Sequence, residues 1–331
     1  MADLTTVSQL WRFPVKSMGG VQVEELRIDK RGGHADRLWA VRDLENDVIA
    51  SARRVPALLG CSARYVQVPG PDAGPGNVPA VLITFPGGDE VSSGDPQIHQ
   101  QLSDLVGKDV RLTPLLPITD NSQHRLSVKQ SKSNFAQAKV RRDFGLDSSE
   151  ALPDASVFTT KQILTLARFS TPPGTFVDLS ALHVMSETSL QSLSPDGAGY
   201  DVRRFRPNVL VTVDGSSAEF PEASWVGATV EIGTARLHVS VPTIRCVVPT
   251  RPQPGIDLDR TLTRRLADRT DRFLGVYADV TGPGLLRVGD SVRVCMPTPP
   301  GVVRNAAAKV GKGVVRQAQW VIEKTLLRSV D

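Results

Sequence analysis

The chain is divided into short runs of β-branched and aromatic residues, which glycine and proline interrupt before a run reaches the length of a helix. The first such runs are residues 10–13, 21–28, 38–41 and 80–85. Runs of this length bounded by turn residues are typical of β-strands. Few amphipathic stretches of helix length precede residue 300. The pattern therefore predicts a strand-rich, mixed α/β fold with short flanking helices.

The same pattern continues in the second half of the chain. Strands are predicted at residues 208–213, 229–232, 235–239, 244–248, 273–280 and 291–295, and helices at residues 95–106, 186–193 and 258–267. A length of 331 residues is enough for about two domains. We place them at residues 1–118 and 119–300, with a helical tail at residues 301–331.

Residues 119–152 form a polar segment within the second predicted domain. They lack apolar periodicity and contain six basic residues among serine, glutamine and asparagine. One interpretation is a mobile surface loop, since such composition cannot bury a core. The other is a cover over an active site, with basic side chains that reach an anionic ligand.

Net charge and cysteine usage exclude several classes of protein. The net charge of +4 lies in residues 304–331, which hold six basic and two acidic residues, so the rest of the chain is neutral. A neutral body argues against nucleic acid as a partner. The three cysteines are odd in number and scattered, which argues against a disulfide framework and for a reducing compartment. Without a secretory signal at its start or a run of about 18 apolar residues, the chain is expected to be cytoplasmic.

The tail has the pattern of a basic amphipathic helix. Its apolar residues recur mostly at spacings of three or four: Val303, Ala307, Val310, Val314, Ala318, Val321, Ile322 and Leu326. One interpretation is a helix that packs on its own barrel. The alternative is peripheral contact with an anionic membrane surface or with an electron donor.

Cys246 stands out because the usual catalytic and zinc motifs are absent. The chain has no His-Glu-x-x-His, Cys-x-x-Cys, Gly-x-Ser-x-Gly or Walker A motif, and its five histidines show no ligand spacing. Arg245 beside the thiol favours a thiolate. From the residues alone, a buried structural cysteine in a strand and a reactive or metal-ligating thiolate both remain open.

Five short segments together resemble one family. They are Phe13-Pro-Val-Lys-Ser-Met-Gly-Gly20, Asp36-Arg-Leu-Trp-Ala-Val41, Phe205-Arg-Pro-Asn208, Ile244-Arg-Cys246 and the stretch from Gly275 to Asp290. Their order and content are similar to MOSC-family molybdenum-cofactor proteins with an N-terminal β-barrel module before the MOSC β-barrel domain. The subgroup is the one that contains the mitochondrial amidoxime-reducing component and its bacterial relatives.

The resemblance implies a molybdenum–molybdopterin cofactor and an oxidoreductase that reduces small N-hydroxylated or N-oxygenated compounds. It makes Cys246 the metal ligand and Asp178 an acid near the open face of the metal. The residues implied to bind the cofactor are Lys16, Ser17, Arg37, Arg206 and Asn208, and we group Arg245 with them as the cation beside the thiol.

The resemblance also bears on the electron source. Some bacterial relatives carry a C-terminal iron–sulfur domain, but no cysteine follows residue 296 here, so no such cluster is expected in this chain. Electrons are expected from a separate protein, ferredoxin-like or cytochrome b5-like with its reductase. An alternative function is sulfur transfer through a persulfide on Cys246, since MOSC domains also occur in cofactor sulfurases.

Overall fold

The computed structural model describes residues 4–297, and strands predominate in it. In chain order these residues form β1 (Leu4–Arg12), β2 (Val21–Val23), β3 (Glu25–Asp29), β4 (Gly32–Gly33), β5 (Trp39–Asp43), β6 (Val48–Ile49), β7 (Ser62–Tyr65), β8 (Val81–Thr84), β9 (Glu90–Ser92), β10 (Val110–Pro114), β11 (Leu182–Ser186), β12 (Val209–Asp214), β13 (Thr229–Ile232), β14 (Ala235–Ile244), β15 (Phe273–Gly282), β16 (Gly284–Arg287) and β17 (Val292–Cys295).

Short helices flank the strands. They are α1 (Gln97–Val106), α2 (Val128–Phe135), α3 (Gln137–Phe144), α4 (Thr160–Arg168), α5 (Glu187–Leu193) and α6 (Leu262–Thr270). The predicted strand-rich, mixed α/β class is confirmed. The predicted helical tail lies outside the described residues. Within residues 4–297, no helix is both long enough and apolar enough to cross a membrane.

The largest sheet has eight strands and curls towards closure. Its order is β17-β13-β14-β15-β11-β12-β1-β2. A bridge between Thr6 and Ser291 joins β1 to the start of β17, and Val7 donates its amide to the carbonyl of Asp290 at 2.9 Å. Buried positions alternate along β14, as expected for a strand with one face against a core. The inward residues, among them Val7, Leu237 and Val276, form one apolar cluster.

The first and second halves of the chain share this sheet. β1 pairs antiparallel with β12, with Leu10 opposite Val209, while β11 and β12 are parallel and are joined through α5. The predicted domain boundary at residue 118 stays a prediction. The strands before it and after it are nevertheless hydrogen-bonded to each other.

Three smaller sheets, ordered β10-β5-β6, β16-β3-β4 and β7-β8-β9, complete the strand structure of the described residues. Helix α1 packs against a second core cluster through Ile98 and Leu102. The helix ends at Gly107, whose φ of 71° is the left-handed conformation that glycine adopts without strain. This cluster supports the loops that carry residues 13–18 and 50–55.

The segment predicted to be a polar loop, residues 119–152, contains helices α2 and α3. Ser127 and Gln130 form a capping box in which each side chain bonds the backbone amide of the other residue. Helix α2 is therefore stabilised at its N-terminus by this cap, whereas α3 has no side-chain cap there and ends at Gly145 in the left-handed conformation. Their lack of apolar periodicity explains why the pattern alone indicated a loop.

The strand predicted at residues 244–248 is also wrong. β14 ends at Ile244, and Cys246 lies in the turn that follows. The backbone amide of Arg245 still bonds the carbonyl of Arg272 at 2.8 Å, but that of Val247 bonds the carbonyl of Asp143 at 3.0 Å. The chain therefore leaves the sheet at the cysteine and turns towards α3.

Candidate active site

One cavity of about 650 Å³ brings together all the site residues named from the sequence. Its lining includes Lys16, Ser17, Arg37, Asp178, Arg206, Asn208, Arg245 and Cys246. The pairing of β1 with β12, together with that of β3 with β16, brings residues from such distant parts of the chain together. The volume is in the ordinary range for small-molecule sites. The individual roles of these residues remain predictions.

Lys16 lies in the turn after β1 and is buried. Its backbone amide bonds the carbonyl of Trp39 at 2.8 Å, and its ammonium group donates to the carbonyl of Phe176 at 3.1 Å and to Asp178 Oδ1 at 2.6 Å. Burial raises the pKa of Asp178, but the charges of Lys16 and Arg53 outweigh it and lower the pKa overall. The carboxylate is thus ionised. It is surrounded by the residues of the cavity, but 61% of its side chain is exposed to the cavity space.

Three residues at the cavity hold a left-handed backbone without being glycine. Ser17, Arg37 and Arg206 have φ values of 71°, 51° and 57°. Each such residue costs about 1–2 kcal/mol, and strained positions of this kind cluster at ligand sites. The hydroxyl oxygen of Ser17 accepts the amide of Ala52 at 2.9 Å, which leaves its proton available to a ligand. All three are among the residues that the family resemblance implies to bind the cofactor.

Two guanidinium groups share the ring of Phe13. The central carbon of Arg37 is 4.9 Å from the ring centroid, and that of Arg206 is 4.4 Å from it. Arg37 pairs with Asp36, and Arg206 donates through Nη1 to the carbonyl of Met18. Nη2 of Arg206 is buried and has no partner. Burial, and then the charge of Arg37, lower the pKa of Arg206 to about 9. An anion here would satisfy the orphaned donor and offset the repulsion between the two arginines.

The cavity of Cys246 contains a cation, Arg53, that the sequence did not reveal. Burial raises the pKa of the thiol, and the charge of Arg53 acts in the opposite direction. Burial lowers the pKa of Arg53, but the charges of Asp178 and Cys246 raise it overall. Arg53 is therefore electrostatically coupled to both residues predicted to act at the metal. It belongs to no motif, and only its position beside the Ser17–Ala52 contact places it here.

The side chains of Arg245 and Asn208 form hydrogen bonds to other groups of the protein. Arg245 donates to the carbonyls of Leu274 at 2.8 Å and Phe205 at 3.2 Å, and its Nη2 lies 2.5 Å from Nε2 of His183. Burial and then the charge of Arg245 hold the pKa of His183 far below its usual range, so this nitrogen can accept. The amide of Asn208 donates to Trp11 and Asp36. Both residues therefore stabilise the loops and strands around the cavity. The sequence predicts only a contact with the cofactor for them.

We call Lys16, Ser17, Arg37, Arg53, Asp178, Arg206 and Cys246 the floor of the cavity. A second part of the lining, the wall, comes from residues 128–169 with helices α2, α3 and α4, and its polar members are Asn134, Asp143, Asp154 and Ser156. Its cavity-lining apolar residues are Val140, Phe144, Leu152, Phe158, Ile163, Leu166 and Phe169. The wall is held to the loops of the floor by polar contacts: Asp143 pairs with Arg54 at 2.9 Å, and Glu150 pairs with Arg272 at 2.5 Å.

Comparison with known families agrees with this arrangement. The family model described as "MOSC N-terminal beta barrel domain" matches residues 4–106, and the model described as "MOSC domain" matches residues 172–293. The chain belongs to the MOSC-domain proteins. The two matched regions contain every residue of the floor, whereas the wall lies between them.

Curated relatives of this MOSC protein are similar over most of their length. Mitochondrial amidoxime-reducing component 1 of Mus musculus is 27% identical over 327 residues, with 88% of this chain and 83% of the relative covered. The Homo sapiens protein of the same name is 26% identical over 319 residues, with the same coverage. Among solved structures, the YUAD protein of Bacillus subtilis aligns with 89% of this chain and 97% of its own at 12% identity and a TM-score of 0.39.

The family implies a molybdenum cofactor, and the floor fits one. The orphaned donor of Arg206, beside Arg37 and Lys16, suits the phosphate of a molybdopterin. A thiol in the same cavity suits a soft metal whose other ligands are the sulfurs of the cofactor. The fit rests on donors of this chain, and no cluster of several protein ligands is needed.

Proposed function

We propose that this MOSC protein is a molybdenum-cofactor-dependent reductase of small N-hydroxylated or N-oxygenated compounds. The observation that carries the proposal is the buried, unpartnered Nη2 of Arg206, set among left-handed residues in the same cavity as Cys246. Such a site fits an anionic cofactor with a thiolate-bound metal. The names of the curated relatives, which describe amidoxime reduction, support the same reaction class.

Different residues of the floor would bind different parts of the cofactor. Cys246 would ligate the metal, while Lys16, Ser17, Arg37 and Arg206 would bind the pterin and its phosphate. When bound, the cofactor supplies the electrons that reduce the N–O bond. The cations of the floor would be neutralised by its phosphate, which removes the repulsion between Arg37 and Arg206.

Asp178 and Lys16 are suited to proton transfer at the substrate oxygen. Reduction of an N–O bond consumes protons as well as electrons and releases the oxygen as water. The ion pair between Lys16 Nζ and Asp178 Oδ1, at 2.6 Å, presents an ionised carboxylate on the floor. Asp178 would hold a proton-carrying water or the N–OH group there. Electrons would come from a separate ferredoxin-like or cytochrome b5-like protein with its reductase, in the cytoplasm.

Metal and pterin analysis of the purified full chain, together with Cys246→Ser, tests the proposal. Wild-type protein should contain stoichiometric molybdenum and pterin, and should reduce an amidoxime with an artificial reductant. Cys246→Ser should lose the metal or at least about a hundredfold in activity, because a hydroxyl is a poor ligand for a soft metal. Cys295→Ser, at an exposed cysteine on β17, is the matched control and should behave as wild type.

A different result would favour the sulfur-transfer function. Protein that contains no molybdenum or pterin but carries a persulfide on Cys246 would contradict the reductase. Full metal content and full activity in Cys246→Ser would remove the cysteine from the mechanism.

A further inference from the structure

The segment that contains α2 and α3 carries positive charge that no acidic residue within it balances. Residues 121–142 hold six basic residues and no acidic one, although the chain before residue 304 is neutral overall. The six form what we call the basic face: Arg125, Lys129, Lys132, Lys139, Arg141 and Arg142. Within the part of the chain that the structure describes, none of the six forms a salt bridge. The basic face is therefore a local surplus of positive charge.

Basic side chains on other surfaces of the molecule are paired more closely with acidic ones. Arg64 pairs with Glu90 at 3.1 Å, across β7 and β8. Arg236 and Arg293 both pair with Glu231, at 3.3 Å and 2.5 Å. The basic face differs from these surfaces because its charges lie together without such partners.

The charges of the basic face point away from the cavity ligand and are open to another molecule. Arg125, Lys129, Lys132 and Arg142 are exposed, and none of the six residues lines the cavity. Lys129 and Lys132 are three residues apart on α2, which places them on the same side of the helix. A ligand of the cavity therefore does not account for these charges.

The basic face nevertheless extends to the edge of the cavity. Arg54, which lines the cavity, donates to Asn134 Oδ1 on α2 at 3.1 Å. Burial, and then the charge of Arg54, lower the pKa of Lys139. The charges of Arg142 and Arg53 act on Lys139 in the same direction. A molecule bound to the basic face would thus lie close to the cavity and would be attracted by the cations at its edge.

We propose that the basic face is the docking surface for the electron donor, and that the donor is a small one-electron carrier with an acidic surface around its redox group. The proposal rests on the proposed function, which requires electrons from a separate protein. It adds the place where that protein binds and the charge by which it is recognised.

A charged surface suits the way in which such a donor must work. Cleavage of one N–O bond consumes two electrons and two protons and releases water, so a one-electron carrier must dock and leave twice in each turnover. Complexes of this kind are small and weak, and charge complementarity raises their association rate. Exposed lysine and arginine side chains provide attraction without the large apolar contact that would slow release.

An anionic membrane fits the basic face less well than an acidic protein does. Helices that lie on membranes place an apolar side among the lipid chains. Among the side chains that the structure describes in residues 121–142, Val128 is the only large apolar one that is exposed, at 75%. The face therefore lacks the apolar side that membrane binding needs.

Two double variants of the full chain provide a matched test. In Lys129→Glu/Lys132→Glu two charges of the basic face are reversed, and in Arg27→Glu/Lys30→Glu an equal reversal is made at and just after β3. All four residues are exposed, and none lines the cavity. Glutamate at position 129, near the start of α2, is favourable to the helix dipole, and circular dichroism checks that both variants fold.

The acidic probes are a plant-type [2Fe–2S] ferredoxin and the soluble haem domain of a cytochrome b5, and the basic counter-probe is cytochrome c. In surface plasmon resonance at low ionic strength, Lys129→Glu/Lys132→Glu should weaken binding of at least one acidic probe about tenfold, with Arg27→Glu/Lys30→Glu close to wild type. High salt should remove the difference. Cytochrome c should not bind the wild type.

Reduction of an amidoxime gives a second readout. With the bound acidic probe as the source of electrons, the rate at limiting probe should fall about tenfold in Lys129→Glu/Lys132→Glu alone. With dithionite as the source, all three proteins should have the same rate, because the substituted residues do not line the cavity.

The outcomes separate the docking surface from the reductase function. If an acidic probe binds in the expected pattern but no amidoxime is reduced with either source, the docking surface stands and the proposed function fails. If dithionite supports reduction but both variants bind and accept electrons equally, the docking surface is overturned and the reductase stands. Failure of both acidic probes to bind the wild type also overturns it, as does binding through Lys129 and Lys132 to vesicles with phosphatidylserine but to neither probe.

Discussion

On the floor of the cavity, Lys16 bonds the carbonyl of Phe176, 160 residues away, so its side chain is held across the two halves of the chain. Behind the floor, Arg245 bonds the carbonyls of Leu274 and Phe205. The wall is held differently, by caps and by ion pairs such as Arg54–Asp143. The floor therefore has one geometry that many contacts determine. The wall is attached to the rest of the protein at loops and helix ends rather than by strand pairing, as in the bond from the amide of Val247 to the carbonyl of Asp143.

The largest expected difference concerns two glycines: Gly275 on β15, which lies behind the floor, and Gly145, which belongs to the wall. A Cβ at Gly275 would lie 2.5 Å from Met185 Cγ and 2.6 Å from His183 Nε2, with φ at +76°. Gly145, at the end of α3, has φ of +65°, and its nearest contact would be 3.3 Å, with Val247. We expect Gly275→Ala to cost about 3 kcal/mol in free energy of unfolding and Gly145→Ala about 1–2 kcal/mol.

Denaturant unfolding of both variants measures this difference. Gly275→Ala should also lower cofactor content, since it displaces the His183–Arg245 contact behind Cys246. An equal loss in free energy of unfolding in the two variants would contradict this difference, because it would show that the structure around the floor adapts to an added methyl group as readily as the wall.

A smaller effect is expected when the orphaned donor of the floor is removed. Arg206→Ala should weaken cofactor retention by about 2 kcal/mol, because a charged hydrogen bond to the phosphate is lost. Molybdenum and pterin retained after prolonged dialysis are the measurement. Arg236→Ala is the control, since Arg236 is 62% exposed and pairs with Glu231 on the surface. Equal retention in the two variants would place the phosphate elsewhere.

The smallest effect concerns the loss of stability at acid pH, which we assign to His124 in the segment before the wall. His124 is 1% exposed, its Nδ1 contacts Thr171 Oγ1 at 2.7 Å, and the amide of Gly174 donates to its Nε2 at 3.3 Å. Burial lowers the pKa of His124 to about 4, against a weaker opposing effect of Asp120. As pH falls below about 6.5, His124 becomes protonated in the unfolded chain, whereas in the folded chain it stays neutral until about pH 4. Stability should therefore fall by about 1 kcal/mol between pH 7 and pH 5.5.

His124→Gln should remove this part of the pH dependence, which denaturant unfolding at the two pH values will measure. His238→Gln, at an exposed histidine, should leave it intact. His183, whose pKa is also lowered, contributes in the same direction in every variant, so the difference between variants isolates His124. Parallel pH profiles for wild type and His124→Gln would contradict the assignment.

The sequence predicted the floor better than the wall, for physical reasons. Lys16, Arg206 and Cys246 lie in short segments that resemble one family, so each could be named without knowing the fold. Arg53 could not, because only the contact between Ser17 and Ala52 places it near the thiol.

Helices α2 and α3 escaped prediction because they lack an apolar stripe. Helix α4 does have apolar residues at helical spacing, Ile163, Leu166 and Ala167, but the stripe is only one turn long. The spacings Ser127-x-x-Gln130 and Thr159-x-x-Gln162 were nevertheless visible in the sequence, and capping boxes could have indicated α2 and α4. The end of β14 before Cys246 depends on the carbonyl of Asp143, which no local pattern reveals.

The pairing of β1 with β12 limits how this chain can be divided. A fragment that starts after residue 118 would lose β1 and leave Val209, Leu210 and Val211 on an open strand edge. Unpaired apolar edges recruit strands from other molecules, so such a fragment is expected to aggregate rather than to act as an independent module. Swapping the MOSC region between relatives would therefore require exchanging the first strand with it.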